Sequence, residues 1–310
     1  MTVQQGLGGK VAVVGSINLD QVIRIGRHPL PGETLLGSSL TLLPGGKGAN
    51  QALAAARLGA DVSLIGAIGN DANAALASEL LQASGMDLSA LRTADAPTGL
   101  AIICVAENGE NTIVVIPGAN SVMDAMAVES AAAQIAEAAV VVLQGEIPAD
   151  GIAAAARLAT GRVVLNLAPV VALDPAVIRS ANPLVVNEHE GALVLSQLAP
   201  ESAAPVDDEA LVAALRAQGI PSVVLTRGAD GAICSDDGGT QLLPAPSVQA
   251  VDTSGAGDAF VGALSTALAA GASLLDASRL AVRVGAFAVR GHGTQASYPS
   301  LGDLLPEVHA

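Results

Sequence analysis

The segment DTSGAGDAFVGAL, residues Asp252–Leu264, holds the residues best suited to chemistry. Small residues lead into an apolar helical run, and Asp258 falls at the opening of that helix. Gly255, Ala256 and Gly257 allow a turn tight enough for successive N–H groups to converge on one point. A helix N-terminus with free N–H groups is a site for an oxyanion or a phosphate. A carboxylate at the same place can take a proton from an attacking hydroxyl. A plainer reading is equally open at this stage: Asp252 or Ser254 caps the helix and the glycines serve packing.

A second glycine cluster, PGGKGANQALAAARLGA (Pro44–Ala60), opens another helix. It is not a Walker A loop, because no Ser or Thr follows Lys47 at the required spacing. Its polar residues Lys47, Asn50 and Gln51 gather at the start of a helix whose remainder is apolar, and this argues against a mere flexible loop. In GSINLD (Gly15–Asp20), Asn18 and Asp20 stand at the end of the first strand. An amide that donates and accepts, beside a carboxylate that accepts, can grip adjacent hydroxyls of a sugar, although such a segment is also an ordinary turn. VLQGE sets Glu146 just past a buried strand, and NEHEGA sets Asn187 and Glu190 on one helical face. That pair can orient a hydrated Mg²⁺ near phosphates. TRGADG (Thr226, Arg227, Gly228, Ala229, Asp230, Gly231) is a turn between strands that can hug a nucleotide phosphate. The four histidines show no metal spacing, no G-x-S-x-G elbow is present, and no G-x-G-x-x-G follows the first strand. These absences weigh against a serine hydrolase and a dinucleotide dehydrogenase.

The elements that must position these residues alternate along the chain. Strand-like runs occur at Lys10–Val14, Val62–Ile65, Val140–Leu143, Val163–Leu167, Leu184–Val186 and Val223–Thr226. Helical Ala/Leu-rich runs lie between them at Ala49–Leu58, Ala72–Ala83 and Asp207–Gln218, and Asp124–Val142 reads as an amphipathic helix running into a strand. Alternation of this kind predicts an α/β fold with a mainly parallel sheet covered by helices on both faces, and ligands in such folds bind beyond the C-terminal strand ends. Two turn-rich patches, about 21–44 and 98–118, break the pattern; ENGEN between apolar runs signals a hairpin. They predict a small antiparallel sheet outside the main layer.

Composition agrees. The chain of 310 residues is 51% hydrophobic but 1% aromatic, so the core is built from Ala, Val, Leu and Ile. A net charge of −15 repels phosphate backbones and argues against nucleic acid as a partner. Cys104 and Cys234 lie in apolar runs and read as reduced thiols. No apolar leader or membrane-length span is evident, so a cytoplasmic protein without a membrane partner is expected.

Taken together, GSINLD, PGGKGANQ, ENGENTIVVIPGAN, NLAP, NEHE, TRGADG and VDTSGAGDAF resemble the ribokinase-type (PfkB) carbohydrate kinase family, in the family's order, from Lys10 to Ser297. The resemblance implies one catalytic domain over 1–310, a three-layer α/β sandwich with a mainly parallel central sheet, and a β-sheet lid formed by the two insertions. It implies ATP-dependent phosphorylation of D-ribose at O5, giving ribose 5-phosphate and ADP. A kinase for deoxyribose, another pentose, a ketose or a nucleoside is the alternative within the family, and a non-catalytic sugar- or nucleotide-binding protein lies outside it. By resemblance, Asp258 is the base, and Gly255, Ala256 and Gly257 form an anion hole. Asn18, Leu19, Asp20, Gly46, Lys47, Gly48, Ala49, Asn50 and Glu146 match sugar-binding positions, with Asp258 shared. Asn187, Thr226–Gly231, Gly257 and Asp258 match the ATP site, and Glu190 matches the residue that manages Mg²⁺ through water. A monovalent cation, K⁺, is implied at Asp252, Ser254, Ala288, Gly291, Gly293 and Ser297. Gly291 and His292 stand where the family carries a bulky pair, and Val282 where many relatives place a polar residue near adenine. A homodimer clasped through the lids is also implied.

Overall fold

The computed structural model describes residues 8–202 and 204–308. In chain order its elements are β1 (Lys10–Val14), β2 (Asn18–Ile25), β3 (Gly37–Gly45), α1 (Lys47–Arg57), β4 (Asp61–Gly69), α2 (Ala72–Ala83), β5 (Leu91–Ala94), β6 (Gly99–Ala106) and β7 (Asn111–Ile116). There follow α3 (Ala125–Glu129), α4 (Ala132–Glu137), β8 (Val140–Gln144), α5 (Ala149–Leu158), β9 (Arg162–Asn166), α6 (Pro175–Arg179), β10 (Leu184–Asn187) and α7 (Glu188–Leu198). The chain closes with α8 (Asp208–Ala217), β11 (Val223–Thr226), β12 (Ala232–Asp236), β13 (Gly239–Leu243), α9 (Ala256–Ala269) and α10 (Leu274–Ala288).

Nine strands form the main sheet in the order β13-β12-β11-β10-β9-β8-β1-β4-β5. All neighbours pair parallel except β12, which runs antiparallel to both β11 and β13. Strand periodicity divides the core into two layers. Val11 and Val13 face a cluster with α1, α9 and α10, whereas Ala12 and Val14 face one built on α3 to α8. Burial on both faces is why these strands read as unbroken apolar runs. The expected helix from Asp124 is instead two short helices. Asp124 caps α3 by accepting from the Ala127 amide, and at the C-cap the Ser130 hydroxyl turns back to the Ala127 carbonyl at 2.7 Å before α4 begins.

The two turn-rich patches make a four-stranded sheet, β3-β2-β6-β7. Its outer pairs, β2–β3 and β6–β7, are antiparallel, and the latter is the hairpin expected at ENGEN. The central pair β2–β6 is parallel, which corrects the expectation of an antiparallel sheet. The cause is topological: β2 continues from β1 and β6 follows β5, and these two belong to the parallel part of the main sheet, so both excursions leave it in the same direction. Among the described residues, no helix is long and apolar enough to cross a membrane.

Candidate active site

The N-terminus of α9 sits at the centre of the polar residues. Gly255 is its N-cap with φ 72°, a left-handed conformation that favours glycine. A Cβ there would fall 2.1 Å from Thr294 Cγ2 and 2.7 Å from the Tyr298 hydroxyl. That hydroxyl donates to the Gly255 carbonyl at 3.1 Å. The Ala256 amide turns back to the Thr253 carbonyl at 3.3 Å, so it is partly engaged. The amides of Gly255, Gly257 and Asp258 have no acceptor among the described residues. A Cβ built on Gly257 meets nothing within 4 Å. Unpaired amides at a helix N-terminus are what an anion requires.

Asp258 is the third residue of α9 and is buried. Its Oδ2 accepts from Asn50 Nδ2 and its Oδ1 from Gln51 Nε2, both at 2.9 Å. These two amides come from the start of α1, and they reach because α1 and α9 pack closely: a Cβ on Gly262 would lie 2.5 Å from Ala54 Cβ. A carboxylate has about four lone-pair sites, so positions remain for a substrate hydroxyl. Behind Gln51 the network continues. Gln51 Nε2 also reaches Asn166 Oδ1 at 3.0 Å, and Gln144 Nε2 donates to Gln51 Oε1 at 2.8 Å.

Three more carboxylates and one ammonium surround this pair. Glu146 Oε2 accepts from the Ser16 hydroxyl and from the Lys47 amide, so it also caps α1, whose N-cap Gly46 offers no side chain. Burial works against the Lys47 ammonium, but Asp258, Glu146, Glu190 and Asp20 outweigh it and hold its pKa above the usual lysine value. Asn18 is buried, and Asn120 donates to its Oδ1 at 2.8 Å while also pinning both backbone groups of Ile17. Asp20 Oδ1 has no partner among the described residues. Burial, reinforced by Glu146 and Asp258 and opposed by Lys47, pushes the Asp20 carboxyl up to about 7.

That shift has a sign. The unfolded carboxyl titrates near 3.8 and the folded one near 7, so the folded chain holds the extra proton between those values. Asp20 therefore favours folding at low pH, and this contribution is lost as pH rises through about 7. In ligand-free protein, the Tm of Asp20→Asn minus that of wild type is expected to grow as pH rises from about 5 to about 8. A pH-independent difference in thermal scans would contradict it.

The residues expected at the nucleotide and at the cations fall as follows. Asn187 and Glu190 form a capping box on α7: Asn187 Oδ1 accepts from the Glu190 amide and Glu190 Oε2 from the Asn187 amide. Burial raises the Glu190 pKa, and the nearby Asp258 adds to this, against the Asn187 amide and Lys47. The Thr226–Gly231 turn connects β11 to β12, but Arg227 pairs with Asp208 at 2.7 Å. Asp252 Oδ1 accepts from the Ser254 amide at 2.9 Å and Oδ2 from the Gly293 amide at 3.0 Å, tying the two loops expected at a cation. Burial raises its pKa, but these amides and the Ser254 hydroxyl outweigh burial and leave it lowered. The side chains of Leu19, Ala49 and Ala288 are buried in the hydrophobic core, so only their backbone can face a ligand. Val282 lines a cleft of about 970 Å³ between β13, α10 and the segment at Glu307 and Val308; of the expected site residues it alone borders that cleft.

Sequence reasoning left Gln51 without a role and passed over Ser16, Asn120, Gln144, Asn166, Gln295 and Tyr298. Most were visible as polar residues inside apolar or small-residue segments, VLQGE and NLAP among them. Only the fold reveals that they share one network.

A family model described as pfkB family carbohydrate kinase matches residues 9–301. This chain belongs to the pfkB carbohydrate kinase family. The kinase is 36% identical over 300 residues to a ribokinase of Haemophilus influenzae, covering 95% of this chain and 97% of that protein. It is 32% identical to a deoxyribokinase of Salmonella typhi, covering 94% and 96%. Its fold is similar to that of an Arabidopsis thaliana ribokinase solved with ribose and ATP, with a TM-score of 0.84, 29% identity, and 94% and 96% of the two chains covered.

Proposed function

We propose that this kinase transfers the γ-phosphoryl group of ATP to O5 of D-ribose, giving ribose 5-phosphate and ADP. One observation carries the reading: the Asp258 carboxylate, aimed by Asn50 and Gln51 at 2.9 Å each, adjoins the unpaired amides of Gly255 and Gly257. In this reading O5 attacks the γ-phosphorus, its proton passes to Asp258, and the bond to the β-phosphate breaks with its electron pair on ADP. The α9 amides receive the charge on the migrating group. Phosphoryl transfer asks mainly for alignment and charge neutralisation, and both come from one helix end.

Asn18, Asp20, Lys47, Asn50 and Glu146 take the sugar hydroxyls, with the backbone of Leu19, Gly46, Gly48 and Ala49 as their support. ATP lies along Asn187 and Thr226–Gly231. Mg²⁺ fits beside Glu190, whose second carboxylate oxygen is not used by the capping box, so Glu190 would hold it through water. When bound, Mg²⁺ neutralises β- and γ-phosphate charge. The oxygens of Asp252, Ser254, Ala288, Gly291, Gly293 and Ser297 are hard donors that suit a monovalent cation such as K⁺, and Asp252 already bridges their two loops. The β3-β2-β6-β7 sheet serves as the lid, shielding the reaction from water. Its exposed Leu40, Leu42, Ile113, Val114, Val115 and Ile116 favour a homodimer with lid against lid.

The likeness to a deoxyribokinase keeps 2-deoxyribose as a second reading. A coupled ADP-release assay over a sugar panel, with and without K⁺, separates them. Ribose is expected to give the highest kcat/KM and K⁺ to raise it. A preference for 2-deoxyribose would favour the second reading, and no ADP release with any pentose would overturn both.

A further inference from the structure

The segment Thr294–Tyr298 follows the loop that carries Gly291 and Gly293 and touches the ends of both helices that build the site. Gln295 is buried, 1% exposed, and donates Nε2 to Asn50 Oδ1 at 2.9 Å. Asn50 Nδ2 donates onward to Asp258 Oδ2 at 2.9 Å. Three residues further on, the Tyr298 hydroxyl donates to the Gly255 carbonyl at 3.1 Å. Arg57, at the far end of α1, holds the carbonyls of Gln295 and Tyr298 at 2.7 and 3.0 Å. One strut thus braces the carboxylate and the amide-bearing turn together.

Charge dictates the direction of this chain. An ionised carboxylate only accepts hydrogen bonds, so Asn50 must turn its Nδ2 to Asp258 and its Oδ1 away. That buried oxygen then needs a donor, and Gln295 supplies it. The arrangement leaves Gln295 Oε1 with no partner among the described residues. An unpaired buried oxygen costs stability, so the glutamine is oriented for Asn50 at the expense of its own satisfaction.

We propose that Gln295 is a positioning residue for phosphoryl transfer: through Asn50 it aims the Asp258 carboxylate, and through Tyr298 its segment sets the Gly255 turn. The proposal rests on the reading of Asp258 as the base. Gln295→Met removes the donor at nearly constant volume. Gln295→Glu puts an acceptor in its place, which draws Asn50 Nδ2 to itself and turns Asn50 Oδ1 toward Asp258. Tyr298→Phe removes only the bond to Gly255.

The test compares kcat, KM for ATP and Tm of these variants in the full chain, with ribose as acceptor. Gln295→Met and Tyr298→Phe are expected to lower kcat about 10-fold, as for loss of one buried hydrogen bond in the transition state. Gln295→Glu is expected to lower it further, with KM for ATP unchanged in all three. In an Asp258→Asn background, Gln295→Met is expected to add little further loss, because residues acting as a unit are not additive. A fall in Tm with kcat of Gln295→Glu within about twofold of wild type, or a loss fully additive with Asp258→Asn, would overturn the proposal. Full turnover in Asp258→Asn alone would instead sink the reading of the base on which it rests.

Discussion

Asp258→Asn is expected to lower kcat by about 10²-fold or more, the scale of a lost general base, while ATP still binds. The substitution keeps the size of the side chain but removes its capacity to take the O5 proton. It also disturbs the network in a definite way. Asn50 and Gln51 both donate to the carboxylate at 2.9 Å, and an amide in its place offers one acceptor and one donor group. One of the two donors then faces another donor, and either Asn50 or Gln51 must turn or go unpaired. A lower Tm therefore accompanies the kinetic loss, and kcat must be measured well below the unfolding transition. Coupled ADP-release kinetics checks the first effect and a thermal scan the second. Turnover near that of wild type in a folded variant would refute the assigned role.

The second large effect is expected at the turn. Gly255→Ala places a Cβ on a residue with φ 72°, a conformation that costs an L-residue about 1–2 kcal/mol. The same Cβ would fall 2.1 Å from Thr294 Cγ2 and 2.7 Å from the Tyr298 hydroxyl, so backbone or neighbours must move. Movement there displaces the unpaired Gly255 and Gly257 amides from the point on which Asp258 bears. Loss of one oxyanion donor typically costs about 10²–10³ in kcat, and a fall of about that size is expected. KM for ribose is expected to change far less, because the residues proposed to take the sugar hydroxyls lie on β2, on α1 and, for Glu146, just past β8. The kcat-against-KM split of purified Gly255→Ala checks this; a rise in KM with kcat retained would mean that the turn holds sugar rather than phosphoryl.

Much of this architecture was legible because buried parallel strands leave plain signals. The runs at Val140–Leu143 and Val223–Thr226 are apolar and β-branched, and each is a strand of the main sheet. The glycine clusters marked both helix N-termini of the site, for different reasons: at α9 Gly255 takes a positive φ beside open amides, whereas at α1 Gly46 and Gly48 let the chain pass against the backbone of residues 15–18 and the first-turn amides are already bonded. The parallel pairing of β2 with β6 was not legible, because the direction of a strand depends on where the preceding element leaves the sheet and not on local pattern. The break between α3 and α4 was hidden in an Ala-rich stretch whose composition favours helix throughout; Ser130, whose hydroxyl returns to the Ala127 carbonyl, stands at the break.

Within the site, residues that announce charge, such as Asp20, Lys47, Glu146 and Asp258, were identifiable from type and position. The amides that aim them were not. Gln144, Asn166 and Gln295 are far from Gln51 and Asn50 in the chain, and a buried amide signals only that a partner exists. The capping-box role of Asn187 and Glu190 was equally available from their spacing, and the helix uses it whatever else the pair does.

The most direct measurement is a crystal structure of this kinase with ribose, ADP and an aluminium fluoride mimic of the migrating phosphoryl group. The expected result is ribose O5 within hydrogen-bond reach of an Asp258 oxygen, about 2.6–3.2 Å, with fluoride accepting from the Gly255 or Gly257 amide. Ribose bound with O5 turned away from Asp258, or the fluoride held elsewhere than at the start of α9, would contradict the account.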